Sequence, residues 1–283
     1  MTGGEYPTLS GEGAARLSAS AARIVVVGAG GWLGLATLEA LHGLLGAAFS
    51  ERVACFGSSG RTLALRGGLT VPQQPLGRIG DLPSAPTLVL HLAFLTQEKA
   101  KAMSDADYIA ANGMISSRVL AALDAMGAQA VFVPSSGAAY LVEDRDAAAS
   151  MRLYGRLKLK DEVRFRRWAD SRGRRATIAR VFNLSGPYIN KRSSYALACF
   201  IADALADRPI VIKARRPVLR SYAAVRELMS VVFGLLTGVA EAPAPFDTAG
   251  DRDYEMAEIA AVVQEVVGHR RGIERPPLEA GKP

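Results

Sequence analysis

The chain has 283 residues, 49% of them hydrophobic, which is enough to bury one large core or two smaller ones and excludes a disordered or fibrous protein. Its 34 Lys and Arg residues exceed its 27 Asp and Glu residues, and the net charge of +7 suits an anionic small substrate as well as a nucleic acid. Much of the excess lies between Arg152 and Arg180, which we interpret as a solvated helix end and loop, so no nucleic-acid partner is expected.

The cysteines, the N-terminal residues and the apolar runs argue against metal binding, export and membrane insertion. Cys55 and Cys199 have apolar neighbours and no CxxC spacing, and the three histidines are scattered, so no metal site is expected. Residues 1–20 are rich in Gly, Ala and Ser and are predicted to form a flexible tail, not a signal peptide. The apolar stretch 228–240 is shorter than the roughly 20 residues of a membrane span, so we expect a cytoplasmic protein without a membrane partner.

From Arg23 onward, apolar runs alternate with stretches of helical periodicity. Strands are predicted over 24–27, 53–56, 87–92, 130–133 and 177–182, and helices over 29–45, 105–126 and 150–170. Apolar strands that alternate with helices are typical of a parallel sheet covered on both faces. The sequence therefore predicts an α/β protein with a Rossmann-like, doubly wound parallel sheet.

Beyond Asn183 the rhythm changes. The turn NLSGPY is followed by a predicted helix over 195–206, a short strand over 209–213 and a helix over 225–236. We expect a dinucleotide-binding domain over 21–183, to which 218–250 also contributes, and a smaller C-terminal substrate-binding lobe formed by 184–217 and 251–283.

The turn after the first predicted strand carries the pattern GxxGxxG, formed by Gly28, Gly31 and Gly34 with Trp32 and Leu33 between the last two glycines. Glycines at these positions let backbone N–H groups approach a pyrophosphate at the N-terminus of the following helix. Because the pattern follows an apolar strand and begins an amphipathic helix, we interpret it as a dinucleotide-binding loop and not as a simple tight turn.

The end of the second strand bears on which dinucleotide is bound. Rossmann folds usually carry Asp or Glu there, which binds the ribose 2′-hydroxyl of NAD. This chain instead reads FGSSGR over 56–61, and Ser58 with Arg61 suits the 2′-phosphate of NADP. NADP is therefore favoured over NAD; the alternative is that Ser58 and Arg61 are only turn residues.

Three side chains could take part in proton transfer. Tyr154 and Lys158 are four residues apart on a predicted helix and so share a face. An ammonium beside a phenol favours the phenolate, which makes Tyr154 usable as a proton shuttle near neutral pH. Ser136 follows a central strand, where its hydroxyl can bond a sugar oxygen, and no GxSxG motif surrounds it, so a serine hydrolase is not indicated.

The order of the motifs along the chain is similar to that of one family. They are GAGGWLG at 28–34, Asp81-Leu82, HLA at 91–93, Asn112, VPSSGAAY ending at Tyr140, YGRLK at 154–158 and RVFNLSGPY at 180–188. RSY at 220–222, VREL at 225–228 and FDTAGDRDYEMAEIA from Phe246 follow. Over about 23–268 the chain thus resembles the extended short-chain dehydrogenase/reductases, in particular the NAD(P)-dependent epimerase/dehydratase group that acts on nucleotide sugars.

The resemblance implies a role for each matching residue. Ser136, Tyr154 and Lys158 would form the catalytic triad, and Tyr154 and Lys158 would also lie against the cofactor, where Lys158 binds the nicotinamide ribose. Hydride transfer at a sugar carbon would give a 4-keto sugar. The remaining implied roles are support of the proton relay by Asn112, adenine contacts by Asp81 and Leu82, cofactor lining by Ala93, and contacts to the nucleotide-sugar phosphates by Asn183 and Arg220.

Departures from the family pattern narrow the expected activity. Where 4,6-dehydratases carry Asp and Glu after the triad hydroxyl, this chain has Gly137 and Ala138, so dehydration is disfavoured. An epimerase or a 4-keto reductase is expected instead, and the missing acid after the second strand favours the reductase. In the substrate lobe the family's residues are replaced by Ala196, Ser221, Ala214 and Arg215, which leaves the sugar and the nucleotide open.

Two further expectations concern assembly and an alternative function. The resemblance implies a homodimer in which the helices over 105–126 and 150–170 pack against those of the partner subunit. The alternative function is a non-catalytic dinucleotide-sensing or nucleic-acid-associated protein on the same fold. The intact Tyr154 and Lys158 argue against that alternative.

Overall fold

The computed structural model describes residues 9–96, 101–191 and 193–279. The chain divides into two compact units: unit 1 comprises Met1–Val181 and Val225–Thr248, and unit 2 comprises Phe182–Ala224 and Ala249–Pro283. Two details differ from the predicted division. The N-terminal segment belongs to unit 1, and the chain returns to unit 1 at Val225 and not at residue 218.

The sheet of unit 1 contains the strands β1 (Arg23–Val27), β2 (Val53–Gly57), β3 (Arg61–Ala64), β4 (Thr70–Pro75), β5 (Thr87–His91), β6 (Ala128–Ser136), β7 (Arg175–Val181) and β11 (Phe246–Asp247). Their order across the sheet is β11-β7-β6-β5-β1-β2-β4-β3. Neighbours pair in parallel, except β3 and β4, which are antiparallel. This mostly parallel sheet confirms the predicted Rossmann-like α/β fold.

The helices of unit 1 are α1 (Gly11–Ala19), α2 (Trp32–Leu45), α3 (Phe49–Arg52), α4 (Asp105–Leu123), α5 (Ala149–Arg172) and α7 (Val225–Leu236). Local sequence explains their ends. The side chain of Ser104 accepts a hydrogen bond from the backbone N–H of Asp107 and begins α4, and Gly173, in the left-handed conformation, ends α5.

The core of unit 1 lies along its central strands. Every residue of β5 is buried, and the apolar residues of β1 are fully buried, because helices cover both faces of the sheet. Strand order reverses between β1 and β5, and ligands of such sheets bind at the carboxyl ends of the strands next to that reversal. A ligand is therefore expected to bind near the residues that follow Val27 and His91.

Two strands, β3 and β4, are absent from the sequence-based prediction. β4 reads TVPQQP, which has no apolar run and contains two prolines, a residue type that usually argues against a strand inside a sheet. Its side chains alternate between exposed and buried, with Val71 and Gln73 buried. The pairing of β4 with both β2 and β3 therefore overrides its weak local propensity.

The predicted flexible tail over residues 1–20 is wrong for its second half. Residues 11–19 form α1, in which Leu17 is fully buried and Ala14 is buried. A Cβ atom on Gly13 would collide with the backbone of Gly234 in α7, so this glycine allows the two helices to pack closely. The segment is rich in small residues, so its buried face, formed by Gly13, Ala14 and Leu17, could be recognised only from its packing against α7. Residues 1–8 lie outside the described residues.

Replacing Leu17 by alanine is expected to lower the free energy of unfolding by about 2–4 kcal/mol, because it removes a fully buried side chain between α1 and its neighbours. Chemical denaturation followed by circular dichroism would measure the change. Ser18→Ala, at an exposed position of the same helix, is the control and should have little effect. Equal stability of the Leu17→Ala protein and the wild type would mean that the segment behaves as a tail.

Unit 2 is smaller and has its own core. It contains β8 (Asn183–Ser185), β9 (Ile210–Val211), β10 (Leu219–Ala224), β12 (Asp253–Glu255), β13 (Ile273–Glu274) and the helices α6 (Ala196–Leu205) and α8 (Met256–Val267). The strands form a sheet of order β12-β10-β8 and a pair β13-β9. Phe200 of α6 and Met256 and Val263 of α8 pack with Ile210 and Ile212 to make the core.

The helical stretch Trp32–Arg52 is long and apolar enough to cross a membrane by length and composition, and half of it is buried inside the protein. It begins directly after the glycine loop and covers one face of the sheet. A core helix passes the same test, so the stretch gives no support to a membrane-spanning role.

Candidate active site

The glycine loop between β1 and α2 has the close backbone packing of a dinucleotide site. Gly28 has a φ of +88°, and its N–H donates to the carbonyl of Phe56 in β2 at 2.8 Å. A Cβ atom on Gly28 would lie 2.6 Å from the backbone nitrogen of Ala93, and one on Gly34 would lie 2.5 Å from the carbonyl oxygen of Ala29. Any side chain at these two positions would clash with the backbone and force the loop to shift.

The N-terminus of α2 supplies donors for an anion. Gly31 caps the helix and has no side chain that could bond the backbone N–H groups of the first helical turn. The backbone N–H groups of a first helical turn and the helix dipole together favour a phosphate. The glycine loop, α2 and Ala93 therefore fit the pyrophosphate region of a nicotinamide dinucleotide, as the sequence predicts.

The end of β2 adjoins the glycine loop and differs from an NAD-type site. Gly57 stands where an acid is usual, and Ser58 is exposed in the turn that follows. The guanidinium of Arg61 lies against Gly30, where a Cβ atom would collide with its Nη2. Within the described residues, the structure gives Arg61 no acidic partner. A cationic group therefore stands beside the loop at the place expected for a 2′-phosphate.

Gln73, in β4, occupies the space next to Gly57, and the sequence analysis missed it. Its Oε1 accepts a hydrogen bond from the N–H of Gly30 at 3.1 Å, and its Nε2 donates to the carbonyl of Ser59 at 2.8 Å. A Cβ atom on Gly57 would lie 2.5 Å from the same Oε1. Gln73 thus ties the glycine loop to the β2–β3 turn. Nothing in the sequence indicated this role, because Gln73 belongs to a strand that was not predicted.

The predicted adenine contacts by Asp81 and Leu82 are contradicted by their placement. Pro83, directly after them, accepts a hydrogen bond through its carbonyl from Arg23, the first residue of β1, at 2.9 Å. Asp81 is exposed and paired with Arg78 at 2.8 Å. The two residues therefore lie towards the amino ends of the strands, away from the glycine loop. Because β4 was not predicted, the motif was placed at the wrong end of a strand.

Tyr154 and Lys158 lie on one face of α5, as predicted. Lys158 Nζ donates to the carbonyl of Pro134 at 2.9 Å, which anchors the ammonium to β6. A Cβ atom on Gly155 would collide with the carbonyl oxygen of Ala138, so this glycine lets α5 approach the turn after β6. The result is that Tyr154 is placed close to the turn that follows Ser136.

Ser136 is the last residue of β6, at the carboxyl edge of the sheet. Its Oγ accepts a hydrogen bond from the N–H of Ala138 at 3.2 Å and begins a short 3-10 helix, Gly137–Leu141. The hydroxyl keeps its own hydrogen to donate to a substrate oxygen. The structure therefore brings Ser136, Tyr154 and Lys158 to one edge of unit 1.

The charge of Lys158 is set mainly by burial. The side chain is almost fully buried, which lowers the pKa of Lys158 to about 8, although the carboxylates of Asp161 and Glu162 act in the opposite direction. With a pKa of about 8, Lys158 is charged at neutral pH and loses its proton, and with it the charge, in mild alkali. The charge that would stabilise a Tyr154 phenolate is therefore present at neutral pH.

Asn112 holds the loop after β5. Its Oδ1 accepts from the N–H of Leu95 at 2.8 Å, and its Nδ2 donates to the carbonyl of Tyr108 at 3.1 Å. The hydroxyl of Tyr108 donates to the carbonyl of Leu95 at 2.8 Å. Both polar groups of Leu95 are thus bound by α4. The predicted relay role of Asn112 stays a prediction, and its structural role is to fix this loop.

Phe94 is a second residue of the site that the sequence analysis missed. It follows HLA at 91–93, and its ring lies over the Lys158 ammonium at 3.8 Å and meets the Tyr154 ring edge to face at 5.5 Å. Its only signal in the sequence is its place directly after that motif.

A buried polar cluster supports the end of β6 next to Ser136. Glu162 of α5 accepts a hydrogen bond from Ser135 and two from Arg180 of β7, at 3.0 and 2.8 Å. A two-point pair of this kind fixes both partners in orientation.

In the residues that the structure describes, no group of three or more His, Cys, Asp or Glu side chains could hold a metal ion.

Unit 2 contains a cavity of about 370 Å³ that suits a small organic ligand. It is lined by both predicted phosphate contacts, Asn183 and Arg220, and also by Lys213. Tyr195 and Tyr222 form part of its wall with their rings edge to face at 6.2 Å. The structure therefore brings Asn183 and Arg220 to one cavity, where cationic side chains are available to an anionic ligand.

Comparison with known proteins finds a relative with similarity over part of the chain. The UDP-glucuronic acid decarboxylase 2 of Arabidopsis thaliana is 32% identical over 103 residues, which make up 36% of this chain and only 23% of that protein. The matched segment thus covers about a quarter of the relative.

Solved structures share the fold at low sequence identity. The UDP-N-acetylglucosamine 4-epimerase of Methanobrevibacter ruminantium, in complex with UDP-N-acetylmuramic acid, superposes with a TM-score of 0.68 at 17% identity, covering 92% of this chain and 87% of that one. The UDP-glucose 4-epimerase of Thermus thermophilus, in complex with NAD, gives a TM-score of 0.63 at 18% identity, covering 92% and 88%.

A family model described as the NAD dependent epimerase/dehydratase family matches residues 24–247, which include the glycine loop and the Tyr154–Lys158 pair. The predicted family is confirmed: the chain belongs to the NAD-dependent epimerase/dehydratase family.

Proposed function

We propose that this chain is an NAD(P)-dependent enzyme that transfers hydride at a carbon of a nucleotide-linked sugar, through a 4-keto species, as a 4-keto reductase or an epimerase. The observation that carries the proposal is the pairing of Tyr154 with a buried Lys158 beside Ser136. The glycine loop supplies the cofactor site, and it is linked to this pair through Ala93 and Phe94.

The chain's own residues would manage the proton while a bound nicotinamide supplies or accepts the hydride. In the oxidation direction, Tyr154 removes the proton of the sugar hydroxyl as the C–H bond gives up its hydride, and a carbonyl forms. In the reduction direction, Tyr154 returns the proton to the carbonyl oxygen. Ser136 donates a hydrogen bond to that oxygen in both directions, and the Lys158 ammonium stabilises the phenolate.

The chemistry after Ser136 argues for reduction or epimerisation. Gly137 and Ala138 carry no acid or base, so the chain lacks there the groups that would eliminate water. The two remaining reactions differ in cofactor use, because an epimerase takes its hydride back in each cycle and a reductase does not. Two incubations distinguish them. Stoichiometric loss of the absorbance at 340 nm with a 4-keto nucleotide sugar and NADPH identifies a reductase, whereas inversion of a 4-hydroxy nucleotide sugar with no net change in the cofactor identifies an epimerase.

The cofactor is proposed to be NADP(H), on the strength of Arg61. Arg61→Ala is expected to weaken NADP binding by roughly tenfold to a hundredfold and leave NAD binding nearly unchanged, because only NADP carries the phosphate that the guanidinium can bind. Isothermal titration with both dinucleotides measures this. Arg78→Ala, which removes an exposed arginine paired with Asp81, is the matched control. Equal losses for NAD and NADP in the Arg61→Ala protein would contradict the assignment.

The nucleotide half of the substrate is proposed to bind the cavity of unit 2, where Arg220 and Lys213 suit a diphosphate. Titration with UDP, dTDP and GDP, in the presence of the preferred dinucleotide, would identify the nucleotide. Binding of neither dinucleotide would remove the basis of the enzyme proposal.

A homodimer through α4 and α5 is also proposed. These helices expose Ile109, Met114 and Val163, which are large apolar side chains on the two elements named by the family resemblance. A monomer in light scattering at working concentration would contradict this.

The alternative, a nucleic-acid-associated protein without catalysis, gains little from the arginine-rich segment. Arg164 bonds Ser117, Arg172 pairs with Asp124, and Arg175 donates to the carbonyl of Leu236, so these three arginines are bound within the protein. Retention of RNA that depends on salt and is unaffected by Tyr154→Phe, with no turnover, would favour the alternative.

A further inference from the structure

Phe94 contacts Tyr154, to which proton transfer is assigned, and Lys158, which would stabilise the Tyr154 phenolate. Its ring centroid lies 3.8 Å from Lys158 Nζ, well within the range of a cation–π interaction, and the ring meets that of Tyr154 at 5.5 Å and an angle of 83°. The Tyr154 ring itself lies 5.8 Å from the same Nζ. The phenylalanine ring is thus the common surface against which both members of the pair lie.

The backbone on both sides of Phe94 is held in place. Before it, the N–H of Leu92 donates to the carbonyl of β1's last residue at 2.8 Å. After it, Leu95 is bound through its N–H by Asn112 and through its carbonyl by the hydroxyl of Tyr108, both at 2.8 Å. The Phe94 ring also packs edge to face against Tyr108 at 6.4 Å. The position of the ring is therefore imposed by the fold.

We propose that Phe94 is a positioning residue for the Tyr154–Lys158 pair, which fixes the ammonium against its face and sets the orientation of the phenol ring. The proposal rests on the proposed function, since the arrangement matters for catalysis only if this pair moves the proton. Phe94, which directly follows HLA at 91–93, would then orient catalytic side chains and not only line the cofactor site.

Within the part of the chain that the structure describes, few other groups surround the ammonium. Lys158 Nζ donates to the carbonyl of Pro134, and the titratable or charged groups that act on it there are Asp161 and Glu162 of its own helix, His91 of β5 and Tyr154. Burial lowers the pKa of His91 to about 3, so this imidazole is neutral at working pH. The aromatic face is thus the one contact to the ammonium in this set that a conservative substitution removes without changing a charge.

The sign of the effect follows from the electrostatics of the ring. The face of the ring attracts the charged form of Lys158, so its loss favours the neutral amine. Phe94→Leu keeps an apolar side chain over the amine and removes the face. Because the pKa of Lys158 is already lowered by burial to about 8, we expect it to fall further in this variant, by roughly half a unit to one unit.

The decisive experiment is an NMR titration of the Lys158 ε-amine in the unliganded protein, with Lys158→Arg to assign the signal. Phe94→Leu should lower the titration midpoint, and Phe94→Tyr, which keeps the aromatic face, should restore it. Phe49→Leu is the matched control, because it removes a buried ring that packs on His42 and should not affect Lys158. This measurement does not depend on knowing the substrate, so it stands even where the proposed function fails.

Kinetics give the second test. In Phe94→Leu, kcat should fall several-fold with little change in KM, and the alkaline limb of the kcat profile should move to lower pH by the same amount as the titration. An unchanged Lys158 titration in Phe94→Leu, or an equal shift in Phe94→Tyr, would overturn the proposal. Tighter cofactor binding by Phe94→Ala at unchanged kcat would overturn it as well, because the ring would then only obstruct the site.

Discussion

Replacing Tyr154 by phenylalanine is expected to lower kcat by about 10²–10⁴-fold, the usual size of a general acid–base contribution. The variant removes only the hydroxyl, and the ring can still pack against Phe94. Dinucleotide affinity should therefore remain within a few fold of the wild type. Steady-state kinetics with the substrate identified by titration, together with dinucleotide titration of the same preparation, would separate the two effects.

The matched control for this variant is Tyr254→Phe in unit 2, which removes an exposed hydroxyl bonded to Asp251 and should leave kcat unchanged. The pH dependence offers an independent check. Activity should decline as the pH rises through about 8, where the buried Lys158 ammonium loses its proton and the phenolate loses its neighbouring charge. Full turnover by Tyr154→Phe would rule out this residue as the proton shuttle.

Gly34→Ala is expected to weaken dinucleotide binding by roughly tenfold to a hundredfold, since the new Cβ would lie 2.5 Å from the carbonyl oxygens of Gly28 and Ala29 and the loop must shift to relieve the clash. Gly28→Ala should be at least as damaging, because the position has a φ of +88° and faces the backbone of Ala93 at 2.6 Å. Isothermal titration and thermal unfolding of each variant would measure both losses.

A graded series makes the test of the loop sharper. Gly31→Ala brings its Cβ only to 3.3 Å from the carbonyl oxygen of Gly28 and should have a smaller effect. Gly80→Ala meets nothing within 4 Å and is the control. If affinity did not follow this order, the close backbone packing of the loop would not be what makes it a cofactor site.

The sequence predicted the parts of the site that depend on local pattern. The glycine loop follows an apolar strand, and Tyr154 and Lys158 follow helical spacing, so both lie where the spacing indicates. The strand that ends at Ser136 was found too, although the structure extends it from residue 128 to residue 136. These elements are specified by residues close together in the chain.

The features that the sequence did not predict depend on contacts between distant residues. β4 forms because it lies between β2 and β3, and without it Gln73 could not be placed beside Gly57 and Asp81 was assigned to the wrong end of a strand. Helix α1 was predicted to be a tail because its small residues indicate a helix only once their close packing against Gly234 of α7 is known. Phe94 could not be placed over Lys158 until the path of the loop after β5 was known.

The packing of Gln73 also constrains how this protein can evolve. A carboxylate gained at position 57 by a single mutation would be forced against Gln73, which at the same time holds Gly30 and the β2–β3 turn. The first mutant on that route would lose the order of the glycine loop before it gained a group able to bind the ribose hydroxyls. We therefore expect residues 57 and 73 to change together among natural variants, because the side chain of Gln73 occupies the space that an acid at position 57 would need.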